Sequence, residues 1–336
     1  MSAVCHNFGM QKKLNFAILG AGHIAGKMAK TLDFLRNELT PYAVASRSLE
    51  KAEQLRAACN FEKAYGSYAE MLADPAVDVV YIATPNSRHY EQMKLCLAAG
   101  KNVICEKPFT LKKSEAEDIF ATAKAKKLFV LEAVWTRFQP AVEKIRAVIA
   151  SGEIGTPRFL QATFALAISH KERVKRPELG GGALLDLGIY PLNFAALYFG
   201  LGGIKRISSA ARLSDEGVDD QSSVTIEYED GRMAVLTTSM TAAFGTAGRI
   251  AGTLGYIDTP QLTLCQNFEV RKIPSNEART VTCPFDCNGY EYEIRAAVKA
   301  ISEGQLECAE MPWSETVAVT GLMEDLIREW RAASAH

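Results

Sequence analysis

Hydrophobic positions along the chain follow two regimes. Up to about residue 133, short apolar runs alternate with stretches of helical period. LNFAILG (14–20), TPYAVAS (40–46), VDVVYIAT (77–84), KNVICE (101–106) and LFVLEA (128–133) read as strands. The stretches 23–36, 48–59, 89–100 and 112–127 read as helices between them. The run 77–84 is continuously apolar and β-branched, as a strand covered on both faces requires. Alternation of this kind predicts a doubly wound parallel sheet, an α/β fold.

After about residue 134 the pattern changes. A helix is expected over 138–151, a strand over 158–166 and a glycine-led helix over 180–200. From 204 to 282 the chain reads as successive strands joined by turns. Residues 223–239 form the clearest hairpin, with Asp230-Gly231 between two alternating runs. Two helices, 289–303 and 314–334, close an antiparallel α+β domain. The expected division is therefore 14–133 and 134–336, and a length of 336 residues suits about two domains.

Composition narrows the options. Lys plus Arg is 38 and Asp plus Glu is 39, with no basic block, so nothing electrostatic points to nucleic acid. No apolar run approaches the roughly 20 residues of a membrane span, so no membrane is expected either. The N-terminal stretch shows no apolar export core and no twin arginine. Of the eight cysteines, Cys96 and Cys105 sit in apolar runs, where cysteine behaves as a small hydrophobe. A cytoplasmic location with reduced thiols is the expectation. Cys283 and Cys287 lack a second pair or a nearby histidine, and the five histidines are scattered, so no metal site is expected.

The chemistry begins at Gly20-Ala21-Gly22-His23-Ile24-Ala25, a G-x-G-x-x-A turn between a strand and a helix. The first glycine permits a tight turn, the second lets backbone approach a pyrophosphate, and small Ala25 lets helix and strand pack closely. Exposed N–H groups and the helix dipole favour phosphate there. The second strand ends Ala45-Ser46-Arg47-Ser48, without the acid that usually holds the ribose 2′-hydroxyl of NAD. Ser46 and Arg47 can donate to a 2′-phosphate, which predicts NADP over NAD. Glu106-Lys107-Pro108 follows the strand at 101–106, at the carboxyl end where ligands collect in such sheets. Asp186 and Tyr190 are spaced i, i+4, which places them on one helix face. His170, Lys171, Arg173, Lys175 and Arg176 form a basic segment read as a solvated loop, with reach toward substrate or phosphate as the other option.

Taken in order, AILGAGHIAGKMA, YIATPNSRHYEQMKLCLAAGKNVICEKPFT, EAVWTRF and GGGALLDLGIYPL resemble the Gfo/Idh/MocA oxidoreductases over nearly the whole chain. The resemblance implies an NAD(P)-binding Rossmann domain, then a domain with an open, mostly antiparallel sheet that often forms the oligomer contact, here a homodimer or dimer of dimers. It implies Lys107 beside the nicotinamide and the substrate hydroxyl. Glu106 would orient that lysine or meet the carboxamide. Thr84, Pro85, Asn86 and His89 would line the nicotinamide ribose, and Trp135 and Arg137 would close the pocket. Tyr190, where many inositol dehydrogenase-like members have histidine, and Asn193, where they have an acid, resemble the dihydrodiol and NADP-dependent xylose dehydrogenase branch. That implies hydride transfer between NADP and a secondary alcohol of a cyclic diol or aldose. Either Tyr190, its pKa lowered by Lys107, or a desolvated Lys107 would take the proton, with Asp186 binding a substrate hydroxyl or holding Lys107. A non-catalytic NADP-binding sensor and another hydride-based reaction on the same scaffold stay open.

Overall fold

In the computed structural model residues 13–334 are described. The stretch read for export, with Cys5 and His6, and the terminal His336 lie outside them. The chain divides into two compact units, meeting between Ala83 and Thr84.

The first unit alternates strand and helix: β1 (Asn15–Leu19), α1 (His23–Phe34), β2 (Thr40–Ala45), α2 (Leu49–Ala58), β3 (Lys63–Tyr65), α3 (Tyr68–Ala73) and β4 (Val79–Ile82). Its strands run in the order β3-β2-β1-β4, all parallel. Ile18, Leu19 and the whole of Val79–Ile82 are buried, so both faces are covered, as the apolar runs required. β3 and α3 were not expected. At three and six residues they are too short to show a period.

The second unit opens with a short 3₁₀ turn (Asn86–Arg88) and α4 (His89–Ala98). Next come β5 (Asn102–Glu106), α5 (Lys113–Lys126) and β6 (Val130–Ala133), with β5 and β6 parallel. Then follow α6 (Pro140–Ala150), β7 (Pro157–Ala165), a single turn α7 (Glu172–Lys175) and α8 (Ile189–Phe199). Seven strands come next: β8 (Ile204–Leu213), β9 (Asp219–Tyr228), β10 (Met233–Ser239), β11 (Gly245–Gly252), β12 (Gly255–Thr259), β13 (Asn267–Lys272) and β14 (Ala278–Thr282). Helices α9 (Glu291–Ser302) and α10 (Trp313–Ser334) end it. The eight strands β7 to β14 form one sheet, ordered β14-β13-β12-β11-β7-β10-β9-β8. Every pairing is antiparallel except β7 with β10. The β9–β10 hairpin turns at Asp230-Gly231, and Gly231 has φ +82°. The expected fold class, a Rossmann-type parallel α/β arrangement plus a mostly antiparallel α+β sheet, is the one observed.

The glycine-led segment departs from its expectation. Instead of one α-helix over 180–200, it forms a wide π-type turn (Leu184–Gly188) that runs into α8. Gly182 has φ +123°, and a Cβ there would stand 2.4 Å from Asp219 Oδ1. Asp219 Oδ2 in turn accepts the Leu184 N–H at 2.7 Å, fixing the start of the turn. α8 packs on β7 and β10. Ile189 and Leu192 are buried there, and such side chains contribute about 1.5–3 kcal/mol each. Contrary to the sequence expectation, Pro177–Phe199 is long and apolar enough to span a membrane. Within this chain 83% of its 18-residue apolar window is buried, so its apolarity is that of a core helix.

Candidate active site

In the first unit, the glycine turn brings Gly20, Gly22, His23, Ile24 and Ala25 to the start of α1. Gly20 has φ +115°, a conformation that costs other residues dearly, and its N–H donates to Ala45 O at 2.9 Å. Ala25 is fully buried against the sheet. Above Gly22 nothing lies within 4 Å of where a Cβ would be, so open space faces its backbone. A cavity of about 380 Å³ adjoins it, lined by Ala21, Gly22, Lys51, Gln54, Leu55 and Ala58. At the end of β2 the Ser46 hydroxyl accepts the Ser48 N–H at 3.3 Å, and Arg47 is exposed. The backbone and the basic residues thus fit a dinucleotide. Lys51 was not anticipated, because on the sequence it reads as a solvated helix lysine.

In the second unit, four side chains converge. β5 delivers Lys107, whose peptide bond to Pro108 is cis. Lys107 Nζ donates to the Asp186 carbonyl at 2.6 Å and to Asp186 Oδ1 at 3.4 Å. The wide turn explains why that carbonyl is available: in its i→i+5 register the facing residue is Pro191, which has no N–H. Nζ also stands 4.8 Å from the centre of the Tyr190 ring. The Tyr190 hydroxyl accepts the indole N–H of Trp135 at 3.2 Å, and its ring packs edge-on to Phe164 at 5.3 Å. Trp135 is itself clamped, stacked on Tyr290 at 4.4 Å between ring centres.

The charges follow from these contacts. Burial alone disfavours the Lys107 cation, but Tyr190, Asp186 and Glu106 outweigh it, so its pKa moves up and the ammonium persists. Burial pushes the Tyr190 phenol up, against the pull of Lys107 and of the Trp135 N–H, so Tyr190 rests protonated. The expectation that Lys107 brings this phenol down is therefore corrected: desolvation wins. Asp186 is buried too, yet Lys107 and Arg173 hold its pKa down to about 2.

Two further expectations change. His89 is fully buried, with Nδ1 2.8 Å from Pro108 O and Nε2 3.1 Å from Thr84 O. It ties the Thr84 and Pro108 loops together and offers no ring atom to a cofactor. Arg137 spends its guanidinium on Glu310 O, Asn193 Oδ1 and Glu315, so it braces the fold instead of closing a pocket. Asn193 faces that arginine, which accounts for an amide where an acid was the alternative. Asn86 donates to Gly180 O at 2.8 Å, and the Thr84 hydroxyl to Gln92 Oε1 at 2.5 Å; Pro85 is exposed beside them. Glu106 Oε2 accepts the Lys107 N–H at 3.2 Å.

One residue falls to the less favoured of its two readings and another had none. Arg173, read as part of a solvated loop, makes a two-point ion pair with Asp186, at 2.8 and 3.0 Å. Glu132, hidden in a strand run, accepts the Phe109 N–H at 3.0 Å and braces the loop after Pro108. Burial raises its carboxyl to about 7. No spacing on the sequence distinguishes either residue from its neighbours.

Comparison with known proteins gives a consistent result. The Gfo/Idh/MocA model described as oxidoreductase family, NAD-binding Rossmann fold, matches residues 14–133, and the Gfo/Idh/MocA C-terminal domain matches 142–258. The chain is 34% identical over 319 residues to trans-1,2-dihydrobenzene-1,2-diol dehydrogenase of Homo sapiens, covering 93% of this chain and 96% of that one. It is 34% identical over 359 residues to D-xylose 1-dehydrogenase (NADP(+)) of Hypocrea jecorina, covering 94% and 92%. Among solved structures, a 3-ketoreductase from Actinomadura kijaniata in complex with TDP-benzene and NADP superposes with TM-score 0.80 at 25% identity, over 94% of this chain and 97% of that one. An aldose–aldose oxidoreductase from Caulobacter crescentus shares the fold at TM-score 0.85 and 22% identity, over 96% and 98%.

Proposed function

The chain belongs to the Gfo/Idh/MocA oxidoreductase family, and from that premise we propose that it uses NADP(H) to interconvert a secondary alcohol and a carbonyl on a cyclic diol or an aldose. It is an oxidoreductase; the cofactor form, the substrate and the residue roles are our reading. In it residues 14–133 carry the cofactor, and 134–336 carry the substrate and a self-association surface on the eight-stranded sheet. The protein works in the cytoplasm.

The observation that carries the reading is the Tyr190 hydroxyl, held by the indole N–H of Trp135, with Lys107 Nζ 4.8 Å from its ring. When bound, the nicotinamide supplies or takes the hydride. The chain manages the proton. In the reducing direction Tyr190 gives its proton to the carbonyl oxygen, and the phenolate left behind is stabilised by Lys107 and by the Trp135 N–H. In the oxidising direction the same oxygen receives the proton of the alcohol. Lys107 is an ammonium already bound to two oxygens of Asp186, which makes it the electrostatic partner and not the base. Asp186 and the half-exposed Arg173 present an acceptor and donors side by side, suited to adjacent hydroxyls. In the first unit, Arg47, Ser46 and Lys51 suit a 2′-phosphate, with no carboxylate at the end of β2 to repel it.

The test is spectrophotometric. Purified protein with NADP⁺ or NAD⁺ is screened over pentoses, hexoses, inositols and cyclic trans-diols for reduced nicotinamide. Turnover of a diol or aldose with preference for NADP⁺ supports the proposal. NADPH binding without turnover across the set makes the protein a sensor. Equal or better efficiency with NAD⁺ overturns the cofactor assignment.

A further inference from the structure

The second unit holds a cavity that the reaction read above leaves without a use. It lies between the glycine-led turn, β8 and α10, and its volume is about 460 Å³, the size of a small-molecule site. Its apolar wall is built from Leu111 of the loop after Pro108, Leu185 of the wide turn, Leu213 of β8, and Ile327 and Trp330 of α10. Leu111, Leu213 and Ile327 pack against the core yet keep part of their surface open. The Trp330 indole N–H donates to Ser209 Oγ at 2.9 Å. Its one polar atom is thereby satisfied, so the surface it lends the cavity is carbon.

Charged side chains line the same cavity, and all but one are committed within the fold. Asp219 Oδ2 accepts the Leu184 N–H at 2.7 Å, and Glu324 Oε2 accepts the Lys113 N–H at 2.8 Å. Arg328 pairs with Asp325 at 2.6 Å, and Lys112 with Glu115 at 3.9 Å. Arg331 has no hydrogen-bond or ion-pair partner among the described residues. It is exposed on α10, four residues after Ile327 and so on the same helix face. Its guanidinium offers a fork of donors that matches a carboxylate. An apolar wall beside one uncommitted arginine lacks a single complement, a guest with a carbon body and an anionic head. A neutral guest leaves the guanidinium unused, and a cationic one meets Lys112, Arg328 and Arg331 together.

We infer that this cavity is a second ligand site, built for a small carboxylate with an aromatic or aliphatic body. The carboxylate pairs with Arg331, and the body lies against Trp330, Leu185 and Leu213. None of these residues has a part in the hydride and proton transfers, so the inference stands apart from the cofactor and substrate read above.

Isothermal titration calorimetry of the full chain with cinnamate, in the absence of cofactor, tests it, with cinnamamide as the uncharged control. The acid should bind at least about tenfold more tightly than the amide, the scale of one charge-assisted hydrogen bond. Arg331→Gln removes the charge from an exposed position and should bring the acid down to the affinity of the amide. Ile327→Trp fills the cavity and should remove the binding of both. Absence of binding by the acid, equal affinity of acid and amide, or an acid affinity unchanged in Arg331→Gln overturns the inference. So does undiminished binding to a folded Ile327→Trp variant, which would put the probe elsewhere, the active site included. If that variant does not fold, the Arg331→Gln titration still decides.

Discussion

Replacing Lys107 by methionine keeps the length of the side chain and deletes its charge. The ammonium stands 4.8 Å from the Tyr190 ring centre. Taking the ring centre as the seat of the phenolate charge, a unit charge at that distance is worth about 3.5 kcal/mol at an effective dielectric of about 20. That equals about 2.5 pKa units on Tyr190. If half of the effect is felt in the transition state, kcat for reduction falls roughly 20-fold; if all of it is, roughly 300-fold. The residues read as the cofactor site at the glycine turn and the end of β2 are untouched, so NADPH affinity, followed by nicotinamide fluorescence, should stay close to wild type. Steady-state kcat on the best substrate, with the fluorescence titration as control, is the assay. Near-normal kcat in Lys107→Met would refute the electrostatic role. A loss of kcat that tracks a loss of NADPH binding would mean that Lys107 holds the cofactor instead.

Other expectations follow from single contacts. Trp135→Phe keeps a ring to stack on Tyr290 but removes the N–H from the Tyr190 hydroxyl. Its kcat should fall about five- to tenfold with KM little changed, the scale of one hydrogen bond, and stopped-flow reduction would show it. Arg47→Glu should raise KM for NADP⁺ by at least about tenfold and leave NAD⁺ nearly unaffected; parallel changes in both would place Arg47 outside the phosphate site. Asp219 is a buried acid whose folded pKa is raised to about 6. Its contribution to stability is intact below about pH 4 and is lost as pH rises through 6, about 1 kcal/mol between pH 5 and pH 8. Asp219→Asn should narrow the fall in Tm over that interval, and an unchanged fall would show that Asp219 does not cause it.

The sequence was most informative where chemistry and periodicity coincide. Val79–Ile82 could be read as a covered strand because every residue is apolar. The glycine turn could be read because Gly20 alone tolerates its φ, and the hairpin because Asp230-Gly231 interrupts two alternating runs. The site was only half visible. Lys107, Asp186 and Tyr190 stood out by motif and spacing, but their protonation depends on burial, which spacing does not encode. The i, i+4 argument assumed an α-helix, whereas Pro191 and the glycines permit a wide turn that frees the Asp186 carbonyl for Lys107. His89 and Arg137 look functional in one dimension because polar groups are usually exposed. In the fold they are buried and satisfied by backbone carbonyls and facing side chains. Arg173 is the converse, since a loop arginine among other cations shows no sign of its two-point contact with Asp186.

The central claim is that Tyr190 passes the proton while the bound nicotinamide passes the hydride. Tyr190→Phe tests it most directly, because it removes one oxygen and leaves the ring against Phe164 and below Lys107. With NADPH and the best carbonyl substrate, single-turnover oxidation of the cofactor should slow by at least about 100-fold, the scale of a lost general acid, while NADPH affinity is retained. A Tyr190→Phe variant that turns over within a few-fold of wild type would contradict the account.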